Sequence, residues 1–204
     1  MPGKGMLILI SGPSGCGKGT VCGSLIEQLP MLRLSVSATT RPPRTGEVHG
    51  RSYYFMTREE FEKLAREGGF IEWAPIYGNL YGTPAGPVME MLNRGEDVIL
   101  EIDVQGGIQV KERFQDAILI FLITPSRAAL EERLMGRATE SSEEIRKRLF
   151  WVDTELGYLS RYDYVVINNH LDDTVNSIKC ILEAERSRAY RFKLPGGWQP
   201  AIEY

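Results

Sequence analysis

Four short apolar runs punctuate the chain, at residues 6–10, 98–102, 118–124 and 164–167, and most are rich in β-branched side chains. Runs without polar alternation predict strands covered on both faces, as in a parallel sheet. Between them the apolar spacing changes to three and four, which predicts helices. One spans about 20–29 and stops at Pro30; others cover 84–94, 107–114 and 126–134, where Leu130 and Leu134 lie one turn apart. The last, 172–190, puts Val175, Ile178 and Leu182 on one face and offers Asp172 as its N-cap. Alternating strand and helix predicts an α/β fold, a doubly wound parallel sheet.

Two segments break the alternation. Residues 34–83 hold short β-like pieces at 34–37 and 53–56 around a basic, turn-rich stretch. A helix follows, opened by the capping box Thr57-x-x-Glu60 and closed near Gly68-Gly69. This insertion is long enough for a small α+β subdomain. Residues 136–149 are polar and arginine-rich, with a second capping box at Ser141 and Glu144. They read as a helical lid. Its helix, 142–156, places Ile145, Leu149 and Val152 on one face with Arg148 at the border.

The first apolar run leads into Gly12-Pro13-Ser14-Gly15-Cys16-Gly17-Lys18. A glycine-rich loop between strand and helix turns backbone N–H groups around a polyphosphate, the helix N-terminus adds positive potential, and Lys18 adds a point charge. The next residue is Gly19 rather than the usual Ser or Thr, so Thr20 is the nearest hydroxyl for a Mg²⁺ ion, through water. The second run ends in Glu101-Ile102-Asp103. Alternation predicts both carboxylates on one face at the ligand edge of the sheet, as a metal-binding acid pair or as a helix cap beside a surface acid. Arg41 and Arg44, stiffened by Pro42 and Pro43, suit a phosphate clamp with the Tyr53 and Tyr81 hydroxyls, or a solvated basic loop. Glu72, within Phe70-Ile71-Glu72-Trp73, is either an edge-strand acid facing water or an acid facing the amidine edge of a purine.

Composition narrows the class. The 204 residues are 43% hydrophobic and 25% charged, with net charge −3, which argues against a nucleic-acid binder. No apolar stretch reaches membrane-spanning length, and residues 1–5 are too short and polar to open a signal peptide. Cys16, Cys22 and Cys180 form no C-x-x-C pair, which suits a reducing cytosol. Cys16, beside a helix N-terminus, is either an activated thiol or a small filling residue. With only His49 and His170, the chain argues against a His/Cys metal site.

Together with Ser35–Glu47, Gly78–Thr83, Glu101–Gly106, Arg133–Arg137 and Arg146–Leu149, these motifs resemble the guanylate kinases, in the family's order and over nearly the whole chain. The resemblance implies a P-loop nucleoside monophosphate kinase: core 1–33, 84–135 and 150–204, GMP-binding insertion 34–83, lid 136–149. It implies transfer of the γ-phosphoryl of ATP to GMP, and to dGMP, in guanine nucleotide synthesis and salvage. It places ATP on Gly12, Ser14, Gly15, Cys16, Gly17, Lys18, Gly19, Thr20, Arg133 and Asn168. GMP falls to Ser37, Glu72, Thr83 and Asp103 for the base, and to Arg41, Arg44, Tyr53 and Tyr81 for the phosphate. Lys18, Arg44, Arg137 and Arg148 are the expected catalytic side chains, and Mg²⁺ is expected with ATP near Thr20, Glu101 and Asp103, through water. The implied setting is cytoplasmic, with no nucleic acid, membrane or obligatory protein partner. Departures are Gly19, Glu101 for Asp, Thr83 for Ser, and Ala138 for Gly. Rival expectations are an AMP or CMP kinase and a non-catalytic, phosphopeptide-binding module of the same fold; the intact Lys18 loop speaks against the module.

Overall fold

The structure, a computed structural model, describes residues 4–76, 78–135 and 142–191, and of 142–148 the backbone alone. In chain order it contains β1 (Leu7–Ser11), α1 (Lys18–Gln28), β2 (Leu32–Leu34), β3 (Ala38–Thr39), β4 (Tyr54–Phe55), α2 (Arg58–Arg66), β5 (Phe70–Ile76) and β6 (Asn79–Pro84). Then follow α3 (Ala85–Asn93), β7 (Asp97–Glu101), α4 (Val104–Arg113), β8 (Ile118–Ile123), α5 (Arg127–Met135), α6 (Ser142–Leu156), β9 (Tyr164–Ile167) and α7 (Leu171–Arg186).

The larger sheet is parallel throughout, in the order β2-β7-β1-β8-β9. Its apolar runs serve two layers at once. Ile8 and Ile10 of β1 pack into one core with Val21, Leu25, Leu130 and Ile178. Leu7 and Leu9 pack into the other with Val88, Leu92 and Val110. A strand whose alternate residues both meet helices has no polar face, which is why these runs read as continuous. The expected strands and helices appear within a few residues of their expected bounds. Three differ. β2, absent from the expectation, pairs with β7 as an edge strand, so the β-like piece at 34–37 is split: Leu34 ends β2, and pairing resumes at Ala38 in the second sheet. The cap of α7 is His170, without a side-chain bond, and Asp172 sits in the first turn. The capping box expected at Ser141 lies outside the described residues.

The second sheet has the order β4-β3-β6-β5. Phe61 of α2 stacks on Phe70 at 4.3 Å between ring centroids, and with Ala38 and Leu80 they form a separate small core. The Thr57 box is complete: the Thr57 hydroxyl accepts from Glu60 N at 3.2 Å, and Glu60 Oε2 accepts from Thr57 N at 2.8 Å. Between Phe70 and Trp73 β5 carries a register shift against β6. An extra residue there breaks strand alternation. Phe70, Ile71 and Glu72 are therefore buried in succession: Phe70 in the small core, Ile71 in the large one, and Glu72 between Thr83 and the start of α4.

Candidate active site

β1 ends in the fully buried Ser11, and the loop that follows turns on three glycines at positive φ: Gly12 at 145°, Gly15 at 90° and Gly17 at 95°. Such angles are strained for other residues. Lys18 opens α1, and its Nζ donates to the Gly12 carbonyl at 2.6 Å and to that of Pro13 at 3.2 Å, holding the ammonium across the loop mouth. Asn168, at the end of β9, donates from Nδ2 to the Cys16 carbonyl at 2.7 Å, and Thr174 donates to its Oδ1 at 3.1 Å, which fixes the amide orientation. Arg133 joins the Cys16 and Asn168 carbonyls, at 3.4 and 2.9 Å. Both side chains thus brace the loop from behind. Glu101, at the end of β7, places its carboxylate oxygens 3.6 and 3.7 Å from where a Cβ on Gly19 would stand; Thr20 is exposed beside it.

The two acids of Glu101-Ile102-Asp103 go separate ways. Asp103 caps α4, accepting from Gly106 N at 2.7 Å, and there it meets Glu72. A Cβ added to Gly106 would lie 3.2 Å from Glu72 Oε2 and 3.3 Å from Asp103 Oδ1. The fully buried Thr83 donates its hydroxyl to Glu72 Oε1 at 2.7 Å. Glu72 is 9% exposed, so it does not face water as an edge-strand acid would. Burial pushes its carboxyl up to about 7, with the nearby Asp103 charge adding to the rise and the Thr83 bonds opposing it.

Across the small sheet, Arg41 lies over the Tyr53 ring at 5.4 Å, and Tyr53 meets Tyr81 edge-on at 6.1 Å. The Ser37 carbonyl accepts from Tyr54 N at 2.8 Å, which sets that residue at the β3–β4 junction. Arg44 is exposed at the turn next to Arg41. The structure thus brings Arg41, Tyr53 and Tyr81 together, and groups Glu72, Thr83 and Asp103 where β5 and β6 meet the start of α4. Arg137 lies outside the described residues; Arg148 lies on α6, its side chain outside them.

A family profile described as Guanylate kinase matches residues 4–185. A guanylate kinase of Caldanaerobacter subterraneus subsp. tengcongensis is 50% identical over 190 residues, 93% of this chain and 92% of that one. One from Clostridium tetani is also 50% identical, covering 93% and 91%. The crystal structure of guanylate kinase from Anaplasma phagocytophilum superposes with a TM-score of 0.75 at 33% identity, covering 93% of this chain and 90% of the other. The chain belongs to the guanylate kinase family.

Guanylate kinases move a phosphoryl group from ATP to GMP, a reaction governed by positioning and charge. In this guanylate kinase Cys16 is fully buried and its thiol is pushed up by burial despite Lys18, so it fills space and is not an activated nucleophile. Several contacts escaped the sequence reading. Tyr162 donates to the Val104 carbonyl at 3.4 Å, and Ser11 to that of Asp103 at 3.3 Å, tying the root of the loop to the start of α4. Gly107 makes room for both: a Cβ there would meet the Tyr162 hydroxyl at 2.8 Å and Ser11 Oγ at 3.1 Å. The paired glycines 106–107 after a strand-ending acid were the available signal. Among the described residues no helix is long and apolar enough to cross a membrane, and no three His, Cys, Asp or Glu gather around a common point.

Proposed function

We propose that this guanylate kinase transfers the γ-phosphoryl group of ATP to GMP, and to dGMP, giving ADP and the nucleoside diphosphate, in the cytoplasm. The observation that carries the base assignment is the buried Glu72, fixed by Thr83 and faced by Asp103. Guanine presents N1–H and N2–H₂ donors side by side, which one carboxylate accepts together; adenine presents a lone pair at N1, which it repels. Residues 34–83 hold GMP, 136–149 close as the lid, and the remainder is the core. Arg41, Arg44, Tyr53 and Tyr81 hold the GMP phosphate. The loop N–H groups and Lys18 hold the ATP phosphates. Arg133 and Asn168 keep that loop in register and border the adenine end.

A GMP phosphate oxygen attacks the γ-phosphorus, the bond to the β,γ-bridging oxygen breaks, and ADP leaves with the bonding pair. No enzyme nucleophile is needed. Lys18, Arg44, Arg137 and Arg148 offset the charge spread over the transferring oxygens. Mg²⁺ fits the donor set: Glu101 beside Gly19, with the exposed Thr20, offers hard oxygen ligands, and such a site holds the ion through phosphates and water. When bound it neutralises phosphate charge. Asp103, spent on the α4 cap and facing Glu72, belongs to the base side of the site.

A coupled ADP-release assay with GMP, dGMP, AMP, CMP and UMP tests the reading. GMP and dGMP turn over; equal turnover of AMP would remove the base assignment, and ATP-dependent activity on none would favour a binding module.

A further inference from the structure

Arg41 has five N–H donors, grouped as an end-on fork (Nη1 and Nη2) and a side-on fork (Nε and Nη2). Glu47 takes the end-on fork: Nη1 donates to its Oε2 and Nη2 to its Oε1, both at 2.8 Å. The second Nη1–H goes to the Pro42 carbonyl at 2.8 Å. What is left is the side-on fork, a pair of parallel N–H groups matched to two phosphate oxygens. Tyr81 lies close enough to favour the charged form of the same guanidinium. Tyr53 supports the plane from one face. Glu47 also accepts from Arg44 N at 2.7 Å, while its own N–H bonds the Arg44 carbonyl at 3.0 Å across a turn made possible by Gly46 at φ 87°.

Resting on the reading of Arg41 and Arg44 as the acceptor clamp, we propose that Glu47 is a positioning residue for GMP: it spends the wrong fork of Arg41, aims the other at the phosphate, and fixes the backbone that carries Arg44. A competing role, in which Glu47 occupies Arg41 until GMP displaces it, predicts the opposite sign. The geometry favours positioning, because Glu47 and a phosphate on the side-on fork do not contend for the same N–H groups. A lysine in place of Arg41 would have no second fork to offer. The Arg41 guanidinium and the Arg44 N–H hold the Glu47 carboxyl down at about 2, so it stays ionised and paired at neutral pH.

The test is steady-state kinetics on the full chain with Glu47→Ala, Glu47→Gln, Arg41→Ala and the Arg41→Ala/Glu47→Ala double variant, with thermal melts of each. Expected are a GMP KM raised about tenfold in Glu47→Ala and less in Glu47→Gln, which keeps one acceptor, with the ATP KM changed less than about twofold and Tm nearly unchanged. In the Arg41→Ala background the Glu47→Ala cost shrinks, because most of it acts through Arg41. A GMP KM that is unchanged or lowered, or a cost equal in both backgrounds, overturns the proposal. If Arg41→Ala itself leaves the GMP KM unchanged, the clamp reading falls, and the proposal with it. If Arg41→Ala is costly and Glu47→Ala silent, only the proposal falls.

Discussion

Replacing Glu72 by Gln is expected to make the protein more stable and a poorer guanylate kinase, and the balance depends on pH. Burial raises the Glu72 carboxyl from 4.5 to about 7. In the unfolded chain the group loses its proton near pH 4.5; in the folded chain it keeps it until near 7. The stability linked to this group is full below 4.5 and is lost as pH rises through 7. The difference corresponds to about 3 kcal/mol above pH 8 and under about 1 kcal/mol at pH 5. Glutamine keeps the shape and the acceptor for Thr83 without the charge. For a chain of this size the Tm gain at pH 8 is about 6–12 °C, shrinking to about 2–3 °C at pH 5. Calorimetry at both pH values measures it. The same variant loses GMP efficiency by about 100-fold or more, since hydrogen bonds to a charged acceptor are worth roughly 1.5–3 kcal/mol each, and its GMP-to-AMP preference narrows. The wild-type GMP KM should also rise below pH 7; the Gln variant gives the background from protonation of the GMP phosphate itself. A Tm gain independent of pH, or a loss at pH 8, would refute the burial argument. Intact discrimination would take Glu72 out of the base pocket.

Further outcomes follow from the loop and lid. Gly17→Ala should abolish ATP binding, because the added Cβ meets Asn168 Nδ2 at 2.4 Å at a φ of 95°, whereas Gly19→Ser, with its nearest neighbours 3.6 Å away and no positive φ, should bind MgATP at least as well; equilibrium titration decides both. Lys18→Ala should remove turnover and leave far-UV circular dichroism unchanged. Arg137→Ala and Arg148→Ala should each lower kcat by on the order of 10³ or more with little change in GMP affinity or Tm; a raised GMP KM at constant kcat would move that arginine into the acceptor clamp.

The parallel strands were legible because burial on two faces removes polar residues from a strand altogether, and the Thr57 box because capping is local chemistry. β2 was not: three residues at a sheet edge, with Leu34 40% exposed, are too few for their alternation to mark a strand apart from the β-like piece that follows. The phosphate loop could be read from its glycines, but not the use of Asn168, whose partner at Cys16 is 152 positions away. Glu72 left two readings open in the sequence, since a bulge is invisible to a period of two; the shift at Phe70–Trp73 is what turns an edge acid inward. Glu47 stood in a motif with two arginines, and only the fold reveals which fork of Arg41 it takes.

At the end of α4, Arg113 donates from Nη1 to the carbonyls of Phe70 and Ile71, at 3.0 and 2.8 Å. This fastening ties β5 to α4, and the burial of Ile71 ties it to the large core, a single residue from Glu72. On the proposed assignment, purine identity is read beside this anchored stretch of β5.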